Sequence, residues 1–75
     1  MTISKATLDR LPESSGVYQY ITEDDKLLYI GKAKNIKRRV KNYFKFTPEL
    51  APSNRLNSRL FQMISQAKKI ESIIV

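Results

Sequence analysis

The sequence predicts a small α/β domain of the α+β kind, with about three antiparallel strands flanked by helices, and three observations point to it. Two short aromatic and β-branched runs, Gly16 to Ile21 and Lys26 to Ile30, are separated by the polar stretch Thr22-Glu23-Asp24-Asp25, a hairpin pattern. Two further stretches, Ile36 to Phe44 and Leu56 to Ala67, repeat apolar residues at helical spacing. A length of 75 residues allows one core only, because chains this short bury roughly 60% of their unfolded surface.

The elements follow in order. Ser4 to Leu11 makes a short helix that must stop near Pro12, since the residue before a proline disfavours the helical region. In the hairpin, Asp24 and Asp25 satisfy local backbone donors at the tip and are not read as a metal pair. Gly31 is expected to end the second strand, and Asn35 to cap a helix running to about Phe44. Its apolar stripe is Ile36, Val40, Tyr43 and Phe44; Lys34, Arg38, Lys41 and Lys45 lie opposite with Lys37 beside them. Arg39 falls at the margin of the stripe, near Tyr43.

Lys45 to Ser53 carries two prolines and reads as a loop, with Ser53 or Asn54 capping the next helix. That helix gathers Leu56, Leu60, Met63, Ile64 and Ala67 on one face, and Lys68-Lys69 at its end suit the negative end of its dipole. Ile70 to Val75 reads as a strand. Because it ends on an apolar run with no cap, the expectation is a single domain over residues 1–75, cut short at its C-terminus.

Composition narrows the chemistry. Hydrophobic residues make up 41% and charged ones 28%, which suits a folded domain and is too apolar for disorder. With no Cys and no His, thiolate and imidazole metal sites, disulfides, thiol nucleophiles and imidazole acid/base catalysis are excluded. Neither a signal peptide nor a membrane span is visible, so the expected address is the cytoplasm.

The formal charge is +7, and its distribution is uneven. No acid falls between Lys26 and Pro48, where Lys26, Lys32, Lys34, Lys37, Arg38, Arg39, Lys41 and Lys45 lie. A mixed-sign run is usually a solvated helix face. A run of one sign favours contact with nucleic acid.

Gly16-Val17-Tyr18, followed ten residues later by Tyr29-Ile30-Gly31, resembles the two-part signature of the GIY-YIG nuclease superfamily. More narrowly, the stretch from Tyr29-Ile30-Gly31-Lys32-Ala33-Lys34-Asn35 through Arg39 and Val40 to Tyr43-Phe44 is similar to the amino-terminal domain of the UvrC excision-nuclease family. The similarity runs from about Leu11 to Val75 and is loosest over Phe46 to Arg55. It implies a GIY-YIG nuclease fold and a DNA endonuclease making the 3′-side incision in nucleotide excision repair by metal-dependent phosphodiester hydrolysis. Damaged double-stranded DNA is the implied substrate, with UvrB, and UvrA upstream, as partners.

By position, the resemblance makes Tyr29 the general base, Tyr18 its orienting partner and Lys32 a lysine beside the attacking water. Arg39 holds the scissile phosphate, and Tyr43 is a further active-site tyrosine. The chemistry agrees with the residue types: a tyrosine is a poor base at neutral pH unless cations favour its phenolate, and a guanidinium fits phosphate geometry. Lys34, Lys37, Arg38, Lys41 and Lys45 are the expected DNA contacts. The implied Mg²⁺ or Mn²⁺ is held by a glutamate expected roughly ten residues beyond Val75, in keeping with magnesium's preference for few carboxylates and many waters. Glu71 lies too early to replace it.

Two other classes remain open on the sequence. A non-catalytic basic DNA-binding module would use the Lys34 to Lys45 face for phosphates and the tyrosines for packing. A small ribosomal or RNA-binding protein would fit the charge, but Tyr18 and Tyr29 belong to the hairpin pattern and not to an exposed stacking surface.

Overall fold

The computed structural model describes residues 3–75. Along the chain run α1 (Lys5–Asp9), β1 (Gly16–Ile21), β2 (Leu27–Ala33), α2 (Ile36–Lys41), β3 (Phe44–Lys45), β4 (Ala51–Pro52), α3 (Ser58–Gln66) and β5 (Lys69–Ile74). The main sheet has the order β2-β1-β5 with both pairings antiparallel, and β3 with β4 forms a separate two-stranded ribbon. The α+β architecture read from the sequence is therefore present.

Strand alternation explains which face is buried. Gly16, Tyr18 and Tyr20 of β1 point to one side, where Leu8 of α1, Ile36 and Val40 of α2 and Ile64 of α3 close over them in a single core. Each of the enclosed aliphatic side chains, Leu8, Ile36, Val40 and Ile64, stabilises the fold by about 1.5–3 kcal/mol. The opposite face, with Ile30 and Ile73 beside Val17 and Gln19, stays open.

Gly31 does not end the second strand; β2 continues through it to Ala33. Gly31 lies opposite Tyr18, and a Cβ there would stand 2.5 Å from both the Cζ and the hydroxyl oxygen of that ring. The glycine makes room for a side chain and does not stop a strand. Gly16 serves a similar purpose, since a Cβ would collide with the Ile73 carbonyl oxygen and stand 3.0 Å from Ile36 Cδ1.

Asn35 caps α2 as expected, its side chain accepting the Arg38 N–H at 3.0 Å. The helix stops at Lys41, short of Phe44, because the chain beyond is engaged elsewhere. Phe44 pairs with Pro52 in the ribbon, and the Tyr43 carbonyl accepts the Ser53 N–H at 2.9 Å. The segment read as a loop thus contains a small ribbon.

The second long helix begins later than expected, at Ser58, capped by Asn57 and not by Ser53 or Asn54. Ser53 is tied to Tyr43, and its hydroxyl accepts the Arg55 N–H in a local turn. Leu56 precedes the helix yet still packs on the core. Lys68 and Lys69 lie past the helix end: the Lys68 N–H donates to the Ile21 carbonyl at 2.8 Å, and Lys69 pairs with Asp25. Asp25 sits at the hairpin tip with φ 65°, a left-handed conformation that aspartate tolerates in turns, but the Thr22 hydroxyl, and not Asp24 or Asp25 as expected, accepts the local Lys26 N–H.

Candidate active site

The chain's four tyrosines, Tyr18, Tyr20, Tyr29 and Tyr43, form one cluster. β1 supplies Tyr18 and Tyr20, two residues apart on one face. β2 supplies Tyr29 directly across from Tyr20. The turn after α2 supplies Tyr43. Ring centroids lie between 5.4 and 6.4 Å in five of the pairs.

The four differ in access. Tyr18 and Tyr20 are enclosed and Tyr43 is nearly so, whereas Tyr29 is 37% exposed. The hydroxyls of Tyr18 and Tyr43 share a buried hydrogen bond of 2.8 Å. Burial, then hydrogen bonding to Tyr18, pushes the Tyr43 phenol well above the ordinary tyrosine range, with Tyr29 adding to the effect. Burial also raises Tyr20, reinforced by Tyr43, Tyr18 and Tyr29.

Arg39 is exposed, on α2, beside the Tyr18 and Tyr43 hydroxyls. Interaction with Tyr18 first, and Tyr43 after it, raises the pKa of its guanidinium. The expectation of an arginine at the margin of the helix stripe near Tyr43 is met. Arg39 also borders two open depressions. One, of about 360 Å³, is lined by Lys32, Lys34, Asn35, Arg38 and Asn42 as well; the other, of about 270 Å³, by Asn42, Tyr43, Leu56 and Leu60. The first is cationic and has no acidic lining residue, so it can receive a phosphate.

Lys32 borders that depression, but alternation along β2 sets it on the sheet face opposite Tyr29 and Gly31. Its three-residue spacing from Tyr29 does not by itself bring the ammonium to the phenol. It shares that depression with Arg39.

The basic face is less uniform than the sequence suggests. Lys34 and Arg38 are exposed beside Arg39. Lys37 is half-buried in the neighbouring depression with Glu13. Lys41 is engaged with Asp9 of α1 at 2.8 Å and stands 6.0 Å from the centre of the Phe46 ring, so it braces two helices. Lys45 lies in β3, outside both Arg39 depressions.

A divalent cation at this site would need a carboxylate. Among the described residues no cluster of acidic side chains gathers. Glu71 pairs with Gln19, which places it on the opposite face of the sheet from Tyr18 and Tyr20. The residues described do not by themselves make a metal site.

Sequence reasoning missed Tyr20 and Asn42. Tyr20 was visible in the alternation Gly16, Tyr18, Tyr20, which carries one face of a strand two residues further. Asn42 carried no signal, since its place between the two depressions depends on where α2 stops.

Comparison with known proteins agrees with this geometry. The profile of the UvrC-like GIY-YIG domain matches residues 14–75. Proteins named UvrABC system protein C are 56% identical over 69 residues in Wolinella succinogenes, 53% over 68 residues in Aliarcobacter butzleri and 46% over 71 residues in Helicobacter pylori. These alignments cover 91–93% of this chain but only 11–12% of the relatives' length. The magnesium-bound crystal structure of the GIY-YIG N-terminal endonuclease domain of UvrC from Thermotoga maritima superposes with a TM-score of 0.71 at 27% identity. That match covers 95% of this chain and 68% of the solved one. A tyrosine-to-phenylalanine variant of the same domain, bound to its catalytic divalent cation, gives 0.70 at 25% identity with the same coverage. With its two signature glycines seated against Tyr18 and β5, and its tyrosines gathered beside Arg39, the chain belongs to the family of UvrC-like GIY-YIG domains.

Proposed function

We propose that this chain is a DNA endonuclease domain that hydrolyses a phosphodiester bond on the 3′ side of a lesion during nucleotide excision repair. The observation that carries the reading is Arg39 beside the Tyr18–Tyr43 hydroxyl pair, with the exposed Tyr29 in the same aromatic cluster. Arg39 presents a planar donor set to the scissile phosphate at the rim of the cationic depression. Tyr29, the most accessible of the four phenols, takes the proton of the attacking water as general base. Tyr18 and Tyr43, locked to one another, orient the site, and Lys32 adds positive charge near Arg39.

Lys34, Lys37 and Arg38 hold flanking phosphates; Lys41 and Lys45 contribute from further off. A divalent cation, Mg²⁺ or Mn²⁺, would complete the reaction; no cluster of carboxylates among the described residues is placed to hold it. Such a cation supplies Lewis-acid stabilisation of the phosphate and the leaving oxygen. The substrate is damaged duplex DNA presented by UvrB, with UvrA acting earlier. The setting is the cytoplasm; among the described residues no helix is long and apolar enough to cross a membrane.

Arg39→Ala tests the reading. Cleavage should fall by orders of magnitude, roughly 10²-fold or more, while DNA affinity changes little. An equal loss of both would reduce Arg39 to a binding residue and contradict the assigned chemistry.

A further inference from the structure

Tyr20 takes no part in the chemistry above, yet it lies at the centre of the cluster that performs it. It is fully enclosed, and its hydroxyl is the one buried side-chain polar atom among the described residues without a hydrogen-bond partner. The ring meets two of the other tyrosines edge-on: Tyr18 at 5.8 Å and 80°, and Tyr43 at 5.4 Å and 78°. It stands 6.4 Å from Tyr29, its cross-strand partner.

These facts separate the ring from the hydroxyl. Edge-to-face packing of aromatic rings is favourable and directional, so two such contacts fix where Tyr18 and Tyr43 sit. A buried hydroxyl without a partner works against folding, and a phenylalanine of the same shape lacks that penalty. Tyr29 is partly exposed and neighbours both Tyr18 and Tyr20, with ring centroids 6.3 and 6.4 Å away, so a shift of Tyr20 would be passed on to the residue that must face the attacking water. Displacements of about 1 Å in a site of this kind cost on the order of 10²-fold in rate.

We propose that Tyr20 is a positioning residue of the nuclease site, its aromatic ring setting the places of Tyr18, Tyr29 and Tyr43 while its hydroxyl is dispensable. The inference rests on the endonuclease reading of that site.

The test compares Tyr20→Phe, Tyr20→Leu and Tyr29→Phe in the protein expressed from its complete reading frame, nicking lesion-containing duplex. Tyr20→Phe should keep kcat within about twofold and raise Tm by a few degrees, since it removes an unpartnered hydroxyl. Tyr20→Leu should lower kcat about tenfold or more with KM and DNA affinity within about twofold, and should alter the near-ultraviolet circular dichroism of the remaining tyrosines. The chain has no tryptophan to obscure that signal.

Should Tyr20→Leu not fold, Tyr20→Met gives the same comparison without a ring. If neither ringless variant folds while Tyr20→Phe does, the ring serves the core alone and the proposal falls. Full kcat in a ringless variant overturns it, and so does loss of nicking in Tyr20→Phe. The unchanged protein and Tyr29→Phe separate the two levels: no nicking by the unchanged protein ends the endonuclease reading, and normal nicking by Tyr29→Phe ends the assignment of Tyr29 as base, whereas an inactive Tyr29→Phe beside a fully active Tyr20→Leu removes only the positioning role.

Discussion

The hydroxyls of Tyr18 and Tyr43 meet at 2.8 Å inside the protein and so join the middle strand of the sheet to the turn that follows α2. The bond spans 25 residues of chain. Removing one hydroxyl leaves the other buried without this partner, which costs about 1–3 kcal/mol, whereas removing both leaves two matched apolar rings. Tyr18→Phe and Tyr43→Phe should each destabilise the fold in urea unfolding, and the double variant should lose less than the sum of the two. Additive losses would mean that the hydroxyls do not depend on one another.

Gly31 offers a steric test of the same strand. A single methyl at this position would stand 2.5 Å from the Tyr18 ring, so Gly31→Ala must move Tyr18, β2 or both. The expected outcome is a loss of about 1–3 kcal/mol in stability, in line with overpacked cores, and a fall in nicking larger than the loss of DNA binding. Unchanged stability would show that the ring has another place to go.

Two phenols give the fold a pH dependence in the alkaline range. The folded-state pKa values of Tyr20 and Tyr43 are both raised, chiefly by burial. Below about pH 10, the ordinary tyrosine value, folded and unfolded states both hold these protons and the stabilisation is fully present. As the pH rises past that value the unfolded state releases them while the folded state keeps them, so stability falls. Alkaline titration followed by tyrosinate absorbance should show these two phenols ionising only as the fold is lost. Ionisation of Tyr20 and Tyr43 at the ordinary tyrosine value in a folded chain would contradict the burial.

DNA affinity should separate free cations from engaged ones. Lys34 and Arg38 are exposed beside Arg39, whereas Lys41 is paired with Asp9. Lys34→Ala and Arg38→Ala should each reduce the slope of log K against log salt by about 1. Lys41→Ala should change that slope less and lower Tm more. Equal slope changes for all three would show that Lys41 leaves Asp9 to bind DNA.

Much of this architecture was legible in the residues because local rules and tertiary packing agree there. The first strand, the acidic hairpin tip, the Asn35 cap and the buried stripe of Ile36 and Val40 follow from alternation, turn chemistry and helical spacing. The exceptions share a cause. Gly31 reads locally as a strand breaker, but its role is set by the Tyr18 ring on the neighbouring strand. Phe44 continues a helical pattern, but pairing with Pro52 takes its backbone out of the helix. In the site, Arg39 and Tyr43 lie together as helical spacing suggests and Tyr18 joins them as the resemblance implies, while Lys32 shows that three residues along a strand lead to the other face. The engagement of Lys41 by Asp9 was not visible, since only the folded chain brings α1 to α2.

The most direct measurement of the central claim is nicking of a lesion-containing duplex by Tyr29→Phe, with DNA binding measured on the same preparation. The endonuclease account expects binding within about twofold of the unchanged protein and nicking reduced by roughly 10²-fold or more, because the phenol that takes the proton from water is gone. Undiminished nicking would contradict the assignment of Tyr29 as the base. Absence of nicking by the unchanged protein expressed from its complete reading frame, with binding intact and divalent metal present, would leave a DNA-binding module in place of an enzyme.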